Sequence, residues 1–163
     1  MYETPRLILR DWKACDVEPF IALNQDSTVM EFFPQLYSAE ESIQSIERFK
    51  KSIKQYGYGM FACELKESGA FMGFVGLMRR DSEFLFSPCV EIGWRLASKY
   101  WGRGFATEAA QKCIEIGFNK FNLDEIVSFA AKINTKSERV MQKIGMIHDE
   151  NGTFYHPKLK DDC

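Results

Sequence analysis

The sequence predicts a single α/β domain of the α+β type, in which helices flank a mixed and mostly antiparallel sheet. Its 163 residues contain no linker or internal repeat, so we expect one domain over residues 1–163. Segments rich in β-branched and aromatic residues alternate with segments of helical spacing. An apolar run at residues 89–96 leads into a loop with Gly102 and Gly104 and then into a helical pattern, and such a turn suits a phosphate group.

The first part of the chain predicts one strand followed by two helices. Residues 6–12 alternate between two faces, with leucines on one of them, as in a strand. Asp16 is expected to cap a short helix. Ser38-x-x-Glu41 is a capping box, and it opens a longer helix that ends at Gly57.

The rest of the chain predicts strands and helices in turn. Two β-rich segments joined by a polar turn indicate a hairpin. Small apolar residues at helical spacing from Ala106 onward indicate a helix that packs closely on a sheet. Thr135-x-x-Glu138 is a second capping box, and its helix stops at Gly145. The predicted strands of this part are residues 58–65, 71–78, 89–96 and 125–131, with a further strand beginning at 146–148. Residues 149–163 are polar and predict no final strand.

Composition and charge argue against several classes of function. The net charge is −2 and the isoelectric point is near 5.8, so neither supports binding along a nucleic-acid backbone. The sequence shows neither a membrane-spanning apolar run nor a signal-peptide pattern, so we expect a cytoplasmic protein that does not bind membranes. The 5 cysteines are widely spread and only 2 histidines occur, which predicts neither a disulfide framework nor a metal site.

The glycine loop does not match the common nucleotide-binding motifs. A P-loop needs Lys followed by Ser or Thr after its last glycine, and no such pair follows Gly104. A dinucleotide-binding loop needs a third glycine where Thr107 stands, and it follows the first strand of its fold. The loop is therefore either a cradle for another phosphate compound or a plain turn that binds nothing.

Four motifs occur in order along residues 4–158 and resemble those of one enzyme superfamily. They are Thr4-x-Arg6-Leu7-x-Leu9-Arg10, Glu91-Ile92-Gly93-Trp94, Tyr100-Trp101-Gly102-x-Gly104-Phe105-Ala106-Thr107-Glu108-Ala109 and Asn134-x-x-Ser137-x-x-Val140-x-x-Lys143-x-Gly145-Met146. On these motifs the chain resembles the GNAT superfamily of acetyl-CoA-dependent N-acetyltransferases, in its ribosomal-protein-acetyltransferase-like branch. Trp101 replaces the Gln or Arg of the broad superfamily pattern, as is usual in this branch. Relatives typically close the sheet with a hydrophobic strand after His-Pro-Lys-Leu, and the sequence departs from them there.

The resemblance implies acetyl-CoA as co-substrate and no metal. Members of the family hold the pantetheine arm on the backbone of the strand before the loop, and the pyrophosphate on the loop amides. Asn134 is expected to bind pantetheine, because Thr135 is available to cap the helix instead. Arg103 and Arg139 either reach phosphate oxygens or are solvated surface charges. The cofactor-binding residues that the resemblance implies are Trp94, Arg95, Leu96, Gly102, Arg103, Gly104, Phe105, Ala106, Thr107, Asn134, Ser137 and Arg139.

The resemblance also implies two catalytic residues. An amine is mostly protonated at neutral pH, so a base assists it, and Glu91 matches the acidic position of the branch. Its alternative role is a strand-end carboxylate in a salt bridge. A backbone N–H near Gly93 or Trp94 is the expected oxyanion donor. Many relatives protonate the leaving thiolate with a tyrosine, but Met141 stands at that position, so Ser137 is the expected donor. Its alternative role is that of an ordinary serine in the first helical turn.

The acceptor is expected to be a primary amine, either a small molecule or a protein N-terminus, that attacks acetyl-CoA directly in a ternary complex. Its pocket is predicted near Glu31, Phe32, Phe33 and Phe84, although such phenylalanines also occur in cores and Glu31 also fits a solvated loop acid. The protein is expected to act as a monomer or homodimer. The alternative function is a CoA-binding regulatory module without turnover.

Overall fold

The computed structural model describes residues 1–154 of the chain. Within this part, five strands pair in chain order, and every neighbouring pair is antiparallel. The strands are β1 (Tyr2–Glu3), β2 (Leu7–Arg10), β3 (Met60–Leu65), β4 (Ala70–Arg80) and β5 (Cys89–Leu96). The helices are α1 (Val17–Gln25), α2 (Ala39–Tyr56), α3 (Phe105–Asn119) and α4 (Thr135–Lys143). The predicted fold class, helices around a mostly antiparallel sheet, is confirmed.

Helices cover both faces of the sheet, and each face has its own apolar cluster. The cluster beneath α3 includes Leu7, Leu9, Val75, Leu77, Ile92, Leu96, Phe105, Ala109, Cys113 and Ile116. The cluster beneath α1 and α2 includes Phe20, Leu23, Ile46, Phe49, Met60, Ala62, Phe74 and Met78. Ala109 and Ala110 are fully buried, so the small side chains of α3 allow this helix to approach the sheet closely, as predicted.

Strand β5 presents different side chains to the two helical layers. Ile92 contributes to the cluster beneath α3, whereas the Arg95 side chain reaches Asn24 of α1. Because side chains alternate along a strand, Glu91 and Gly93 lie on the same face as Arg95.

The ends of α2 follow the sequence signals. Ser38 Oγ accepts a hydrogen bond from the Glu41 N–H at 3.1 Å, and Glu41 Oε2 accepts one from the Ser38 N–H at 2.7 Å. Gly57 ends the helix with φ of 79°, which is the left-handed conformation that glycine adopts without strain. The predicted capping box and stop are confirmed.

Asp16 occupies the N-cap position of α1, as predicted, but it does not act as a side-chain cap. Its side chain makes no cap hydrogen bond to α1. The carboxylate instead accepts from Arg10 at 2.7 and 2.9 Å and from the Lys13 N–H at 2.7 Å. The Arg10 guanidinium and the Asp16 carboxylate both carry full charges. Their hydrogen bonds are therefore stronger than a bond between the carboxylate and a neutral helix amide.

The prediction of the second capping box is wrong, because the cap residue lies one position before Thr135. Asn134 is the N-cap of α4, and its Oδ1 accepts from the Ser137 N–H at 3.1 Å. Asparagine is among the best capping residues and precedes Thr135, so it takes the cap position. The reason for expecting a free Asn134 side chain therefore does not hold, although its amide group remains available as a donor.

Residues 125–131 do not form the predicted strand. Val127 makes a single parallel bridge to Glu91, in which Val127 O accepts from the Ile92 N–H at 2.8 Å. The flanking apolar residues serve packing instead, since Ile126 joins the cluster beneath α3 and Phe129 joins an aromatic cluster. The sheet of the described part is mixed only through this bridge.

The expected strand start at residues 146–148 is also absent from the described part, where these residues are irregular. Residues 149–154 contain no strand either, in line with the polar sequence. The remainder of the predicted strandless segment, residues 155–163, lies outside the described residues.

Candidate active site

The glycine loop, residues 101–104, ends in an open helix N-terminus. Gly102 and Gly104 have φ of 72° and 79°, a conformation that other residues adopt only with strain. Gly104 is the N-cap of α3 and has no side chain to occupy the first helical amides. Ala106 and Thr107 lie in this first turn and are partly buried. The first turn of α3 therefore offers backbone N–H groups and a positive dipole end to an anion.

The N-terminal segment anchors this turn through Glu108. The Glu108 carboxylate accepts from Thr4 Oγ1 at 2.5 Å, from the Arg6 N–H at 2.9 Å and from Arg6 Nε at 2.6 Å. Burial raises the pKa of Glu108, but these hydrogen bonds outweigh it and leave the pKa below its ordinary value. The carboxylate therefore stays charged and holds the first turn of α3 against the chain start.

Two arginines stack on the ring of Phe105, which begins α3. The Cζ atoms of Arg6 and Arg103 lie 4.3 and 4.9 Å from the ring centroid. Phe105 is buried, so its predicted cofactor contact is limited to its backbone. Arg103 is an exposed residue of the loop, so its side chain is close enough to contact a phosphate bound there.

Among residues 1–154, no group pairs with the outer edge of β5 at Trp94. Below it, Ile92 pairs with Val127 and accepts at its carbonyl from Ser128 Oγ at 3.0 Å. Above it, Leu96 O accepts from Trp101 Nε1 at 2.7 Å. Because ladder groups alternate between edges, the N–H and C=O of Trp94 face the same edge as those of Ile92.

The same alternation separates the two expected oxyanion donors. Gly93 pairs with Gly76 of β4, and its N–H faces that strand. The Trp94 N–H faces the open edge instead. Trp94 is therefore the better placed of the two donors.

Helix α4 lies beside the glycine loop. Lys136 Nζ stands 4.4 Å from the Trp101 ring centroid, which brings together the two motifs that are far apart in sequence. Ser137 is half-buried in the first turn, and its N–H is held by Asn134. Arg139 is exposed on this helix.

Glu91 combines an ion pair with a free oxygen. Its Oε2 accepts from Arg80 Nε at 2.7 Å, and Arg80 Nη1 also donates to Glu83 at 2.8 Å. Within residues 1–154, Glu91 Oε1 has no hydrogen-bond partner. Burial raises the pKa of Glu91, and the charge and hydrogen bond of Arg80 only reduce that rise. The salt bridge considered from the sequence is thus present, and it leaves one oxygen able to take a proton.

The structure divides the predicted acceptor residues into two groups. Phe33 lies over the Arg95 guanidinium at 4.0 Å, while Glu31 beside it is exposed and Phe32 is half-buried. Phe84 belongs to an aromatic cluster in which it stacks on Phe86 at 5.1 Å; the members of this cluster within residues 1–154 include Phe84, Phe86, Phe129 and Phe154. Phe33 and its neighbours cover β5 on the side of α1 and α2. Phe84 follows the end of β4 in the sequence.

Sequence reasoning missed two features of the site. The contacts of Arg6 with Glu108 join residues 102 positions apart, although both residues stand in the motifs that carry the resemblance. The Arg95 side chain is buried, whereas only its backbone was predicted to act. Among residues 1–154, no group of three His, Cys, Asp or Glu side chains is suited to hold a metal ion, and no helix is long and apolar enough to cross a membrane.

A family model described as an acetyltransferase (GNAT) domain matches residues 6–147. The chain belongs to the GNAT acetyltransferase family. It is therefore an acetyltransferase, as predicted, and its family uses acetyl-CoA. The uncharacterized N-acetyltransferase YnaD of Bacillus subtilis is 31% identical to it over 143 residues, which are 88% of this chain and 80% of that protein.

Solved structures of GNAT acetyltransferases share the fold. A GNAT-family acetyltransferase from Bacillus anthracis has a TM-score of 0.78 and 26% identity, over 96% of this chain and 90% of that one. The spermidine N-acetyltransferase of Vibrio cholerae, solved in complex with CoA and spermine, has a TM-score of 0.71 and 21% identity, over 90% of this chain and 83% of that one. At that identity the second likeness concerns the fold alone.

Proposed function

We propose that this GNAT acetyltransferase transfers the acetyl group of acetyl-CoA to a primary amine by direct attack within a ternary complex. One observation carries the proposal. Trp101 of the glycine loop donates from Nε1 to Leu96 O, two residues after Trp94 on β5, so the helix N-terminus at Gly104 lies near that strand edge. Glu91 stands on the same strand three residues before Trp94. An anion site, a hydrogen-bonding edge and a carboxylate base thus occur together.

The residues present fit acetyl-CoA, which supplies an activated acetyl thioester when bound. The unpaired first amides of α3 suit its pyrophosphate, and the free ladder groups of Trp94 suit the amides of its pantetheine arm. Arg103 and Arg139 are exposed cations suited to its phosphates. Asn134 has its amide N–H groups left for the same arm after capping α4.

Glu91 is proposed as the base for the amine. At neutral pH, deprotonating an amine of pKa near 10 costs about 4 to 5 kcal/mol, so a nearby acceptor of the proton speeds the reaction. Arg80 holds one carboxylate oxygen and so orients the other. The raised pKa of Glu91 makes it a stronger base than an exposed glutamate.

Ser137 is proposed to donate a proton to the leaving thiolate, and the Trp94 N–H to stabilise the oxyanion. The backbone N–H of Ser137 donates to Asn134 Oδ1, and this fixes the Ser137 backbone in the first turn of α4. The helix N-terminus also stabilises negative charge near Ser137.

A CoA-binding regulatory module is the second candidate, because Arg80 neutralises the carboxylate on which turnover depends. A thiol-release screen with acetyl-CoA, a panel of small amines and N-terminal peptides separates the two. Release that saturates with an amine supports transfer. Acetyl-CoA binding by calorimetry without release from any amine supports the module, and absence of binding contradicts both.

A further inference from the structure

The Arg95 guanidinium is buried without an acidic partner in the described part of the chain. Arg95 is 8% exposed. Its Nη1 donates to Asn24 Oδ1 at 2.6 Å, and the ring of Tyr37 lies beside it. Its buried Nε–H has no acceptor among residues 1–154. Only neutral groups thus face a positive charge that has been removed from water, which is a costly arrangement.

Aromatic rings surround this guanidinium. Its Cζ lies 4.0 Å from the ring centroid of Phe33, 5.3 Å from Tyr37 and 5.4 Å from Phe74. Attraction between a cation and a ring offsets part of the desolvation but does not replace an anion. Burial lowers the pKa of Arg95, against the influence of Tyr37. A carboxylate matches the flat fork of a guanidinium and is the ligand that this environment lacks.

Phe33 is the most exposed of the three rings around Arg95. It is 38% exposed, whereas Phe74 is 7% exposed, so Phe33 is on the solvent side of the guanidinium. It belongs to the connection between α1 and α2, residues 26–38. Because Phe33 is in a loop, we expect a rotamer change of its ring to expose more of the guanidinium without a change in the sheet.

Arg95 shares its face of β5 with Glu91. They are four positions apart in the strand, so their Cα atoms are about 13 Å apart at roughly 3.3 Å per residue. A Cβ placed on Gly93 would lie 3.7 Å from Glu91 Oε1, which shows that the free oxygen points along the strand toward Arg95. A free carboxylate oxygen and an unpaired cation thus stand on one face.

We propose that Arg95 binds a carboxylate of the acceptor, so that the acceptor is an amine with an acid group several bonds away, as in a short peptide. The proposal rests on the transfer function proposed above, in which Glu91 receives the proton of the amine. The ammonium group of one molecule then meets Glu91, and its carboxylate meets Arg95. Across a Cα spacing of about 13 Å, we expect an α-amino acid to be too short to contact both groups, because its amine and acid share one carbon atom.

Calorimetry with the full chain saturated with CoA tests this proposal, using diglycine and triglycine with their C-terminal amides. Each pair has the same amine and differs only in the acid. We expect the wild type to bind the acids about tenfold or more tightly than the amides, because a charged pair replaces a neutral contact. Arg95→Gln should remove this preference and retain CoA affinity. Equal affinity of acid and amide for the wild type would overturn the proposal.

Further variants keep the test decisive if Arg95→Gln unfolds. Phe33→Ala uncovers the guanidinium and should keep the acid preference or increase it, and loss of the preference there would contradict direct binding. Arg48→Gln removes the same charge from the exposed surface of α2 and should leave the preference unchanged. Thiol release is a separate readout: its absence with every amine contradicts transfer, whereas equal affinities contradict the role of Arg95 alone.

Discussion

Arg80 Nε donates to Glu91 Oε2 at 2.7 Å, and this contact joins the last residue of β4 to the third residue of β5. The Glu91 side chain is 12% exposed and that of Arg80 is 24% exposed, so the pair is only partly screened by water. Burial raises the pKa of Glu91 and Arg80 reduces the rise. The balance between these two effects sets the pH at which the carboxylate can act as a base.

Glu91→Gln should reduce kcat by about 10²- to 10⁴-fold, the usual contribution of a general base. Acetyl-CoA affinity should stay within about threefold, because the proposed cofactor contacts on β5 are made by the backbone. Thiol release and calorimetry measure the two quantities. Glu83→Gln removes the other carboxylate on Arg80 and is the control, with little expected effect on kcat. Parallel loss of affinity and turnover in Glu91→Gln would indicate a structural role.

Arg80→Gln should move the acid limb of the kcat/KM profile to higher pH. Arg80 lowers the pKa of Glu91, so removing it raises that pKa further. A base must be deprotonated, and activity is therefore lost sooner as the pH falls. The pH–rate profile of Arg79→Gln provides the control, because Arg79 pairs with Asp81. An unchanged limb in Arg80→Gln would show that Glu91 is not the titrating base.

Gly104→Val should abolish measurable acetyl-CoA binding, because valine at φ of 79° strains the backbone that presents the first amides of α3. Gly69 has a similar φ of 68° in the turn between β3 and β4, and a Cβ there meets no atom within 4 Å. Gly69→Val therefore imposes similar strain away from the loop and should bind acetyl-CoA normally. Normal binding by Gly104→Val in calorimetry would refute the assignment of the cradle.

The sequence predicted local structure well where a residue and its near neighbours determine the backbone conformation. The reciprocal hydrogen bonds of Ser38 and Glu41 and the turn at Gly57 depend only on neighbours in sequence. Residues 125–131 have strand-forming composition, but a strand also needs an extended partner, and the backbone of this segment forms a single bridge to β5, at Val127. Asn134 and Thr135 are both suitable caps, and the conformation of the preceding segment decides which of them begins α4. A short sequence motif does not encode that conformation.

For the candidate site, the sequence predicted which backbone segments form it but not the contacts of its side chains. Motifs located the glycine loop and the strand beside it, because glycines and helix starts are local features. The partner of Glu91 and the burial of Arg95 depend on which strands pair and which face each side chain takes. Those relations arise from tertiary contacts between distant residues.

Ser137→Ala should lower kcat by on the order of 10²-fold if its hydroxyl group protonates the thiolate. Ser137→Ala retains the backbone N–H that donates to Asn134 Oδ1, so α4 should keep its N-terminal cap. Thr135→Ala is the matched control, since Thr135 is exposed in the same turn and does not cap it. Equal, small effects of the two substitutions on thiol release would assign Ser137 to an ordinary first-turn role.

Asp16→Asn should destabilise the fold by about 1 to 3 kcal/mol, because it weakens the hydrogen bonds of the buried Arg10 guanidinium while Glu64 still accepts from Arg10 Nε at 2.6 Å. The side chains of Arg10 and Asp16 are 8% and 1% exposed. Burial raises the pKa of Asp16, but hydrogen bonds from Arg10 and the Lys13 N–H outweigh it, and the net pKa is lowered.

A lowered folded-state pKa gives stability that is present above the unfolded pKa of about 4 and is lost as the pH falls through the folded value. The unfolding free energy of the wild type, measured by urea denaturation, should therefore decline in acid more steeply than that of Asp16→Asn. Asp81→Asn removes an exposed carboxylate from a surface ion pair and should change stability little. If both variants have the same pH dependence as the wild type, the buried pair does not contribute to acid sensitivity.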